Sequence, residues 1–171
     1  MHPSLNALGG PLVSCSHEPL TGWFRDGCCN TDDRDRGSHT VCARVTQEFL
    51  DYIRMQGNDL VTPHPEHGFP GLKPGDKWCV CAASWLQAHE AGVACPVELE
   101  SAHALALEIV PLSALMEHAV AQHGGFRLQG THAGDPVLAA LPPSHREKKC
   151  AENKIPVYAF HYVKVSPQEP E

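Results

Sequence analysis

The stretch "VTQEFLDYIRMQGNDL", residues 45–60, carries the clearest structural signal in this sequence. Thr46 belongs to the residue types that cap the N-terminus of a helix, and Gly57 can adopt the left-handed conformation in which helices commonly end. The apolar residues that recur at the spacing of one helical face are Phe49, Leu50 and Ile53. The pattern therefore predicts an amphipathic helix over about residues 46–56, which must pack its apolar face against other elements.

Two further helices and two short strands are predicted downstream. The apolar run "KWCVCA" follows the turn "KPGD" and predicts a buried strand, with Cys79 and Cys81 on one face and Trp78 and Val80 on the other. The stretch "SWLQAHEAG" predicts a helix over about residues 85–91, capped by Ser84. "CPVELE" predicts another strand. The last segment, "PLSALMEHAVAQHGG", predicts a helix whose apolar face consists of Leu112, Leu115, Met116 and Ala119.

Long connections separate these elements. Residues 5–23 and residues 57–77 are interrupted by proline and glycine throughout, which favours turn-built loops over regular structure. The sequence therefore predicts an α+β fold: a small single domain with about three helices, a few short strands and long loops rich in proline and glycine. We place this domain at residues 5–120.

Residues 121–171 differ in composition from the rest of the chain. From Gly124 onwards few apolar residues recur at the period of a helix or a strand, so we expect a C-terminal extension. Within it, the side-chain types of "IPVYAFHYVKV" alternate with the period of two that is typical of a strand. We expect this segment at 155–165 to pair with a sheet edge.

Charge and hydropathy exclude several classes of partner. The chain of 171 residues has a formal net charge of -7, which disfavours binding to nucleic acid or to an anionic membrane surface. It contains no apolar run long enough to span a bilayer, and the first residues lack the basic and apolar regions of a signal peptide. We therefore expect a soluble cytoplasmic protein.

The eight cysteines are predicted to be thiols, because disulfides are rare in the cytoplasm. Adjacent cysteines such as Cys28 and Cys29 are too close to form a disulfide with each other. On a strand, the side chains of Cys79 and Cys81 would point in parallel rather than toward each other, which also disfavours a disulfide. The sequence also predicts no bound metal, since its C-C, H-x2-C and C-x-C spacings differ from those of structural zinc sites. We further expect Cys28 and Cys29, in a charged segment, to be the most accessible thiols, and Cys79 and Cys81 the least.

Residues 5 to about 119 resemble a largely bacterial family known as domain of unknown function 2237. The motifs that carry the resemblance are "LGGPL", "TGWFRDGCC", "GSHTVCA", "VTQEFLDYIRMQGNDL", "FPGLKPGDKWCVCA" and "AHEAGVACPVEL". The resemblance implies a small α+β domain and assigns no reaction. The chain departs from the pattern of the family at Ser84, Cys95 and Ala102.

The leading functional hypothesis is a module that binds a small ligand or a protein partner through polar turn loops. The candidate ligand-binding residues are Arg25, Asp26, Asn58, Asp59, Asp76 and Trp78. A structural alternative stays open, since Asp and Asn beside glycine are also where Asx turns and helix caps are expected. No dinucleotide fingerprint, phosphate loop or other common catalytic motif is present, and no cofactor is predicted.

The competing hypothesis is a thiol-dependent enzyme. Its nucleophile would be Cys28, Cys29 or Cys42, with His39 as the base, because such pairs are formed in space rather than in sequence. Residues 25–39 hold three arginines and four aspartates, so the local charge does not favour a thiolate. The sequence thus leaves open whether the protein is an enzyme.

Overall fold

The computed structural model describes residues 4–120 and residue 150 of the chain. These residues contain two β-strands and three α-helices, together with two short 3-10 helices at Pro65–His67 and Ala104–Glu108. In chain order the main elements are β1 (Val41–Arg44), α1 (Gln47–Met55), β2 (Lys77–Val80), α2 (Ala82–Glu90) and α3 (Leu112–Glu117). The predicted α+β class, with three helices and long loops, is confirmed.

Helix α1 forms as its sequence predicts. The Thr46 hydroxyl oxygen accepts a hydrogen bond of 3.2 Å from the backbone N–H of Phe49, which satisfies a donor of the first turn. Gly57 follows the helix with φ 93°, a conformation that costs glycine little. The three residues of the predicted apolar face, Phe49, Leu50 and Ile53, are buried.

Strands β1 and β2 form a two-stranded antiparallel sheet. Cys42 lies opposite Cys79, and Ala43 lies opposite Trp78. Because side chains alternate along a strand, the two cysteines share one face and their neighbours share the other. The apolar face packs into the main core with α1 and α2, whereas the cysteine face is covered by the loops that precede β1.

Helix α2 begins earlier than predicted. It starts at Ala82, directly after the strand, so Ser84 lies inside the helix and Cys81 occupies the N-cap position without a side-chain capping bond. Ala82 and Ala83 are strong helix formers, which explains why the helix begins as soon as the sheet ladder ends. Trp85 is fully buried, and its Nε1 donates to the carbonyl oxygen of Cys95 over 3.0 Å.

Two predictions about the last third of the domain are wrong. "CPVELE" does not form a strand, because only Val97 pairs, through isolated bridges to Ala43 and Ala119. The preceding Pro96 has no N–H to donate to a ladder. Helix α3 is short, and Met116, which we expected on its buried face, is 58% exposed, whereas Ala114 and Leu115 are buried.

Among the residues that the structure describes, no helix combines the length and the apolar character needed to cross a membrane. The predicted strand at 155–165 lies outside the described residues, as does nearly all of the extension at 121–171.

Candidate functional site

The loops around β2 border an open cavity of about 400 Å³. One wall comes from the loop before β1 and the other from the turn-built loop between α1 and β2. Six of the residues that line the cavity carry aromatic rings: Trp23, His39, His64, His67, Phe69 and Trp78. The cavity therefore offers flat ring faces to a ligand and several ring nitrogens that can form hydrogen bonds.

Arg25, an exposed residue, contributes a cation to the lining of this aromatic cavity. The carbon at the centre of its guanidinium group lies 5.1 Å from the centre of the Trp78 ring, within the range of a cation–π interaction. Its Nη1 donates to the carbonyl oxygen of Leu20 over 3.3 Å. Within residues 4–120, Arg25 forms no ion pair with a carboxylate.

The backbone of Arg25 is held in an unfavourable conformation. Its φ is 55°, in the left-handed region that non-glycine residues rarely adopt. Gly22 and Gly27 flank it, also with positive φ, so a tightly turned segment directs the arginine. Strain of this kind is concentrated at ligand and active sites, which makes Arg25 a functional candidate.

His39 is fixed in the cavity wall by a buried carboxylate. Its Nδ1 lies 2.6 Å from Asp35 Oδ1, and its backbone N–H donates to Asp35 Oδ2 over 2.8 Å. The Asp35 side chain is fully buried and also accepts a bond from the Thr31 hydroxyl. Because the carboxylate accepts a hydrogen bond from Nδ1, neutral His39 carries its proton on Nδ1. Its Nε2 can therefore accept a hydrogen bond from a ligand.

The ring of His39 is also held by stacking. Trp23 lies almost parallel to it, with an interplanar angle of 8° and 6.1 Å between the ring centres. The carboxylate fixes one edge of the imidazole and the indole fixes one face, so His39 is oriented before any ligand arrives.

Asp59 lines the cavity but uses its carboxylate within its own turn. The hydrogen bond from the Thr62 hydroxyl, together with the backbone N–H groups of Thr62 and Val61, lowers the pKa of Asp59 to about 2. The group is therefore a carboxylate at neutral pH, and its oxygens organise residues 59–62.

Three other predicted ligand-binding residues do not line the cavity. Asp26 Oδ1 accepts from the backbone N–H of Cys28, and Asp76 Oδ2 accepts from that of Lys73. Asn58 donates its backbone N–H to the carbonyl oxygen of Ile53, closing the end of α1. Of the six predicted ligand-binding residues, the structure thus brings together Arg25, Asp59 and Trp78.

Six of the eight cysteines form disulfides, so the prediction that all are thiols is wrong. The pairs are Cys15–Cys42, Cys28–Cys150 and Cys29–Cys79, with sequence separations of 27, 122 and 50 residues. The prediction rested on the expected cytoplasmic location, and the geometric argument excluded only pairs of cysteines close in the chain, whereas each observed pair joins distant segments. Cys81 and Cys95 are the two free cysteines.

The predicted order of thiol accessibility is also wrong. Cys28 and Cys29 are only 4% and 0% exposed, because their disulfides hold them inside. Arg34 and Asp32 of that segment form an ion pair of 2.6 Å near the surface, whereas the carboxylate of Asp35 is buried and satisfied by hydrogen bonds. Cys81 is partly exposed, whereas Cys95 is buried, and this burial raises the pKa of the Cys95 thiol to about 12.

Of the four catalytic candidates, the structure places only His39 in the lining of the cavity. His39 lines the cavity together with Cys79, the disulfide partner of Cys29, whereas Cys28 and Cys42 do not line it. Catalysis by Cys28, Cys29 or Cys42 stays a prediction, and it would require the disulfide of that cysteine to be opened first.

Several residues of the cavity were missed from the sequence. Trp23 and Phe69 belong to short aromatic stretches beside glycines, and His64 and His67 lie in the proline-rich loop. Asp35 stands four residues before His39, and this spacing is the one local signal that could have suggested the pair.

Two groups of side chains within the described residues bring potential metal-ligand atoms close together. In one, the sulfurs of Cys15, Cys29 and Cys79 lie within 4.8 Å of one another. The other combines His89, His118 and Glu117, and is partly exposed. The distance from His89 Nδ1 to His118 Nε2 is 3.1 Å.

Comparison with known proteins agrees with the sequence resemblance. No curated protein matches the chain. A family described as "Uncharacterized protein conserved in bacteria (DUF2237)" matches residues 5–119, which is more than half of the 171 residues. The chain belongs to this family of uncharacterised bacterial proteins.

Proposed function

We propose that the protein binds a small anionic ligand with a flat apolar part in the cavity beside β2. The observation that carries the proposal is the guanidinium group of Arg25, which lies over Trp78 without a carboxylate partner among residues 4–120. A cation in an aromatic cavity is suited to a ligand that supplies the missing negative charge.

The chemistry of the walls supports this ligand class. A guanidinium group can form two parallel hydrogen bonds to a carboxylate, and these are stronger than bonds between neutral groups. The rings of Trp23, Phe69 and Trp78 favour a flat apolar body. A volume of about 400 Å³ lies in the range of small-molecule pockets.

The fixed imidazole of His39 would add specificity. Asp35 and Trp23 orient the ring, so Nε2 can form a hydrogen bond with the ligand without losing side-chain entropy on binding. In this proposal Arg25 recognises the charge, the aromatic rings hold the flat part, and His39 recognises a polar group on the ligand.

Calorimetric titration with 2-naphthoate, a bicyclic carboxylate, tests the proposal. We expect saturable binding of naphthoate and much weaker binding of its neutral analogue 2-naphthamide. The variant Arg25→Gln should weaken naphthoate binding by about 10- to 100-fold, because a hydrogen bond to a charged group contributes about 1.5–3 kcal/mol.

The matched control is Arg34→Gln, which removes an exposed arginine that is paired with Asp32 and does not line the cavity. It should bind naphthoate as the unmodified protein does. Equal affinity for the acid and the amide, no saturable binding of naphthoate, or an equal effect of both variants would contradict the proposal.

The second candidate function is the thiol-dependent enzyme. The observation that favours it is that His39, held by Asp35, lines the same cavity as Cys79 of the Cys29–Cys79 disulfide. A dithiol would reduce this disulfide to two thiols and become a disulfide itself, leaving a thiol near a base. Iodoacetamide should then label Cys29 or Cys79 faster than free cysteine, and His39→Gln should remove the difference.

Localisation in the cytoplasm stays a prediction from the sequence. The three disulfides favour an oxidising compartment, because thiols are kept reduced in the cytoplasm of most cells. Alkylation of thiols during cell lysis, followed by mass spectrometry of the cysteine peptides, would measure whether the protein is oxidised where it resides.

A further inference from the structure

We propose that Cys15, Cys29, Cys42 and Cys79, when reduced, form a four-thiolate site for Zn²⁺. The site lies on the buried cysteine face of the sheet, and of its four residues only Cys79 also lines the cavity. The name "cysteine cluster" refers below to these four residues.

The register of the sheet creates one half of the cluster. Cys42 in β1 and Cys79 in β2 are direct partners across the two strands, so their side chains leave the same face close together. Each is bonded to a cysteine of the covering loops rather than to its cross-strand neighbour: Cys42 to Cys15, and Cys79 to Cys29. Four separate segments of chain thus converge on one point.

The spacing of the sulfur atoms suits a tetrahedral metal. The sulfurs of Cys15, Cys29 and Cys79 lie within 4.8 Å of one another, and that of Cys42 is bonded to Cys15. With Zn–S bonds of about 2.3 Å, the corners of a tetrahedron lie roughly 3.8 Å apart. The sulfur of Cys15 lies at most about 1 Å beyond this separation from those of Cys29 and Cys79, and each bonded pair would open by roughly 2 Å as the ion draws Cys42 into the site.

Burial distinguishes this cluster from chance proximity at a surface. Its four residues are 0–2% exposed and form a cluster of their own, apart from the main apolar core. Cysteine thiolates are preferred zinc ligands, and sites with four protein ligands and no open position are structural rather than catalytic. A zinc ion here would link the loops to the sheet, as the two disulfides do in the oxidised protein.

The exchange between the two forms balances in electrons and protons. Each disulfide takes two electrons and two protons from a dithiol and becomes two thiols, while the dithiol becomes a disulfide. Binding of Zn²⁺ then displaces one proton from each of the four thiols. The cysteine cluster would carry two disulfides in an oxidising compartment and one zinc ion in a reducing compartment.

Titration with Co²⁺, a spectroscopic substitute for Zn²⁺, tests the site in the full-length protein. The protein is reduced with excess dithiol, desalted without oxygen, and titrated while its visible and near-ultraviolet absorption is recorded. We expect the bands of tetrahedral, thiolate-bound Co²⁺ to saturate at one ion per chain and to disappear when Zn²⁺ is added.

The variants Cys42→Ser and Cys28→Ser form a matched pair. Cys42→Ser should weaken Co²⁺ binding by about 100-fold or more, since even the loss of a group that only supports a metal ligand costs 10–100-fold. Cys28→Ser removes a cysteine of the third disulfide, outside the cluster, and should leave the cobalt spectrum unchanged.

Circular dichroism of the same samples keeps the test decisive if reduction unfolds the protein. Recovery of the native spectrum on addition of one equivalent of Zn²⁺ supports the site. The proposal is overturned if reduced protein binds no Co²⁺ in a tetrahedral thiolate environment, if Zn²⁺ does not restore a fold lost on reduction, or if both variants lose binding equally.

Discussion

At the scale of single residues, Asp35 is the clearest case of a buried polar group whose partners explain its position. Its carboxylate has no solvent exposure and accepts bonds from the backbone and ring of His39 and from the Thr31 hydroxyl. Buried carboxylates are retained when their hydrogen bonds offset the loss of hydration. Asp35 thus links the stability of this loop to the orientation of a cavity residue.

Replacing Asp35 should therefore destabilise the protein as well as release His39. We expect Asp35→Ala to lower the free energy of unfolding by about 2 kcal/mol, because the part-buried hydrogen bond from the backbone N–H of His39 to this carboxylate is lost. Urea denaturation measures this change. The neighbouring Asp33→Ala, at an exposed position, should change stability by less than about 0.5 kcal/mol; equal effects of the two variants would contradict this account of Asp35.

At the scale of elements, His103 caps the 3-10 helix at Ala104–Glu108. Its Nδ1 accepts a hydrogen bond of 3.1 Å from the backbone N–H of Leu105, which requires that nitrogen to be unprotonated. The side chain is buried, and burial lowers the pKa of His103 to about 4. This element therefore depends on a neutral histidine.

The stability of the protein should fall in mild acid for this reason. Between about pH 6.5 and pH 4 the unfolded chain binds a proton at His103 that the folded chain does not, so the contribution is complete above pH 6.5 and is lost as the pH falls. The free energy of unfolding lost in this way is about 3 kcal/mol. Urea denaturation across this range should show a smaller loss for His103→Asn, whose amide oxygen can cap without titrating; an unchanged pH profile would refute the role of His103.

At the scale of the whole molecule, the Cys28–Cys150 disulfide joins the C-terminal extension to the loop before β1. We predict that a chain ending at residue 122 still folds, because the family match ends at residue 119 and the described core lies before this point. Loss of the long-range disulfide should nevertheless lower its stability by about 2–4 kcal/mol.

Thermal melting of the truncated chain measures this effect. Cys150→Ser in the full-length protein is the matched control, since it removes the same disulfide and keeps the extension. Similar melting temperatures for the two proteins would assign the loss to the disulfide alone. A truncated chain without a cooperative transition would show instead that the extension is an integral part of the fold.

The sequence by itself determined the local elements. Helix α1 follows from a capping threonine, three apolar residues on one face and a terminal glycine, all of which act within a few residues of one another. Strand β2 follows from an apolar run after a turn. Around Val97 the local pattern predicted a strand that does not form, because Val97 alone finds pairing partners there, in Ala43 and Ala119.

Only the tertiary structure decided the site. The cysteines of each disulfide are separated by 27 to 122 residues, and Arg25 meets Trp78, which is 53 residues further along the chain (78 − 25). Periodicity and capping describe interactions between near neighbours, whereas these contacts depend on how the loops close over the two faces of the sheet. The sequence thus specified the helix and the strand beside the site, whereas the packing of the loops determined which cysteines, aromatic rings and charged groups come into contact there.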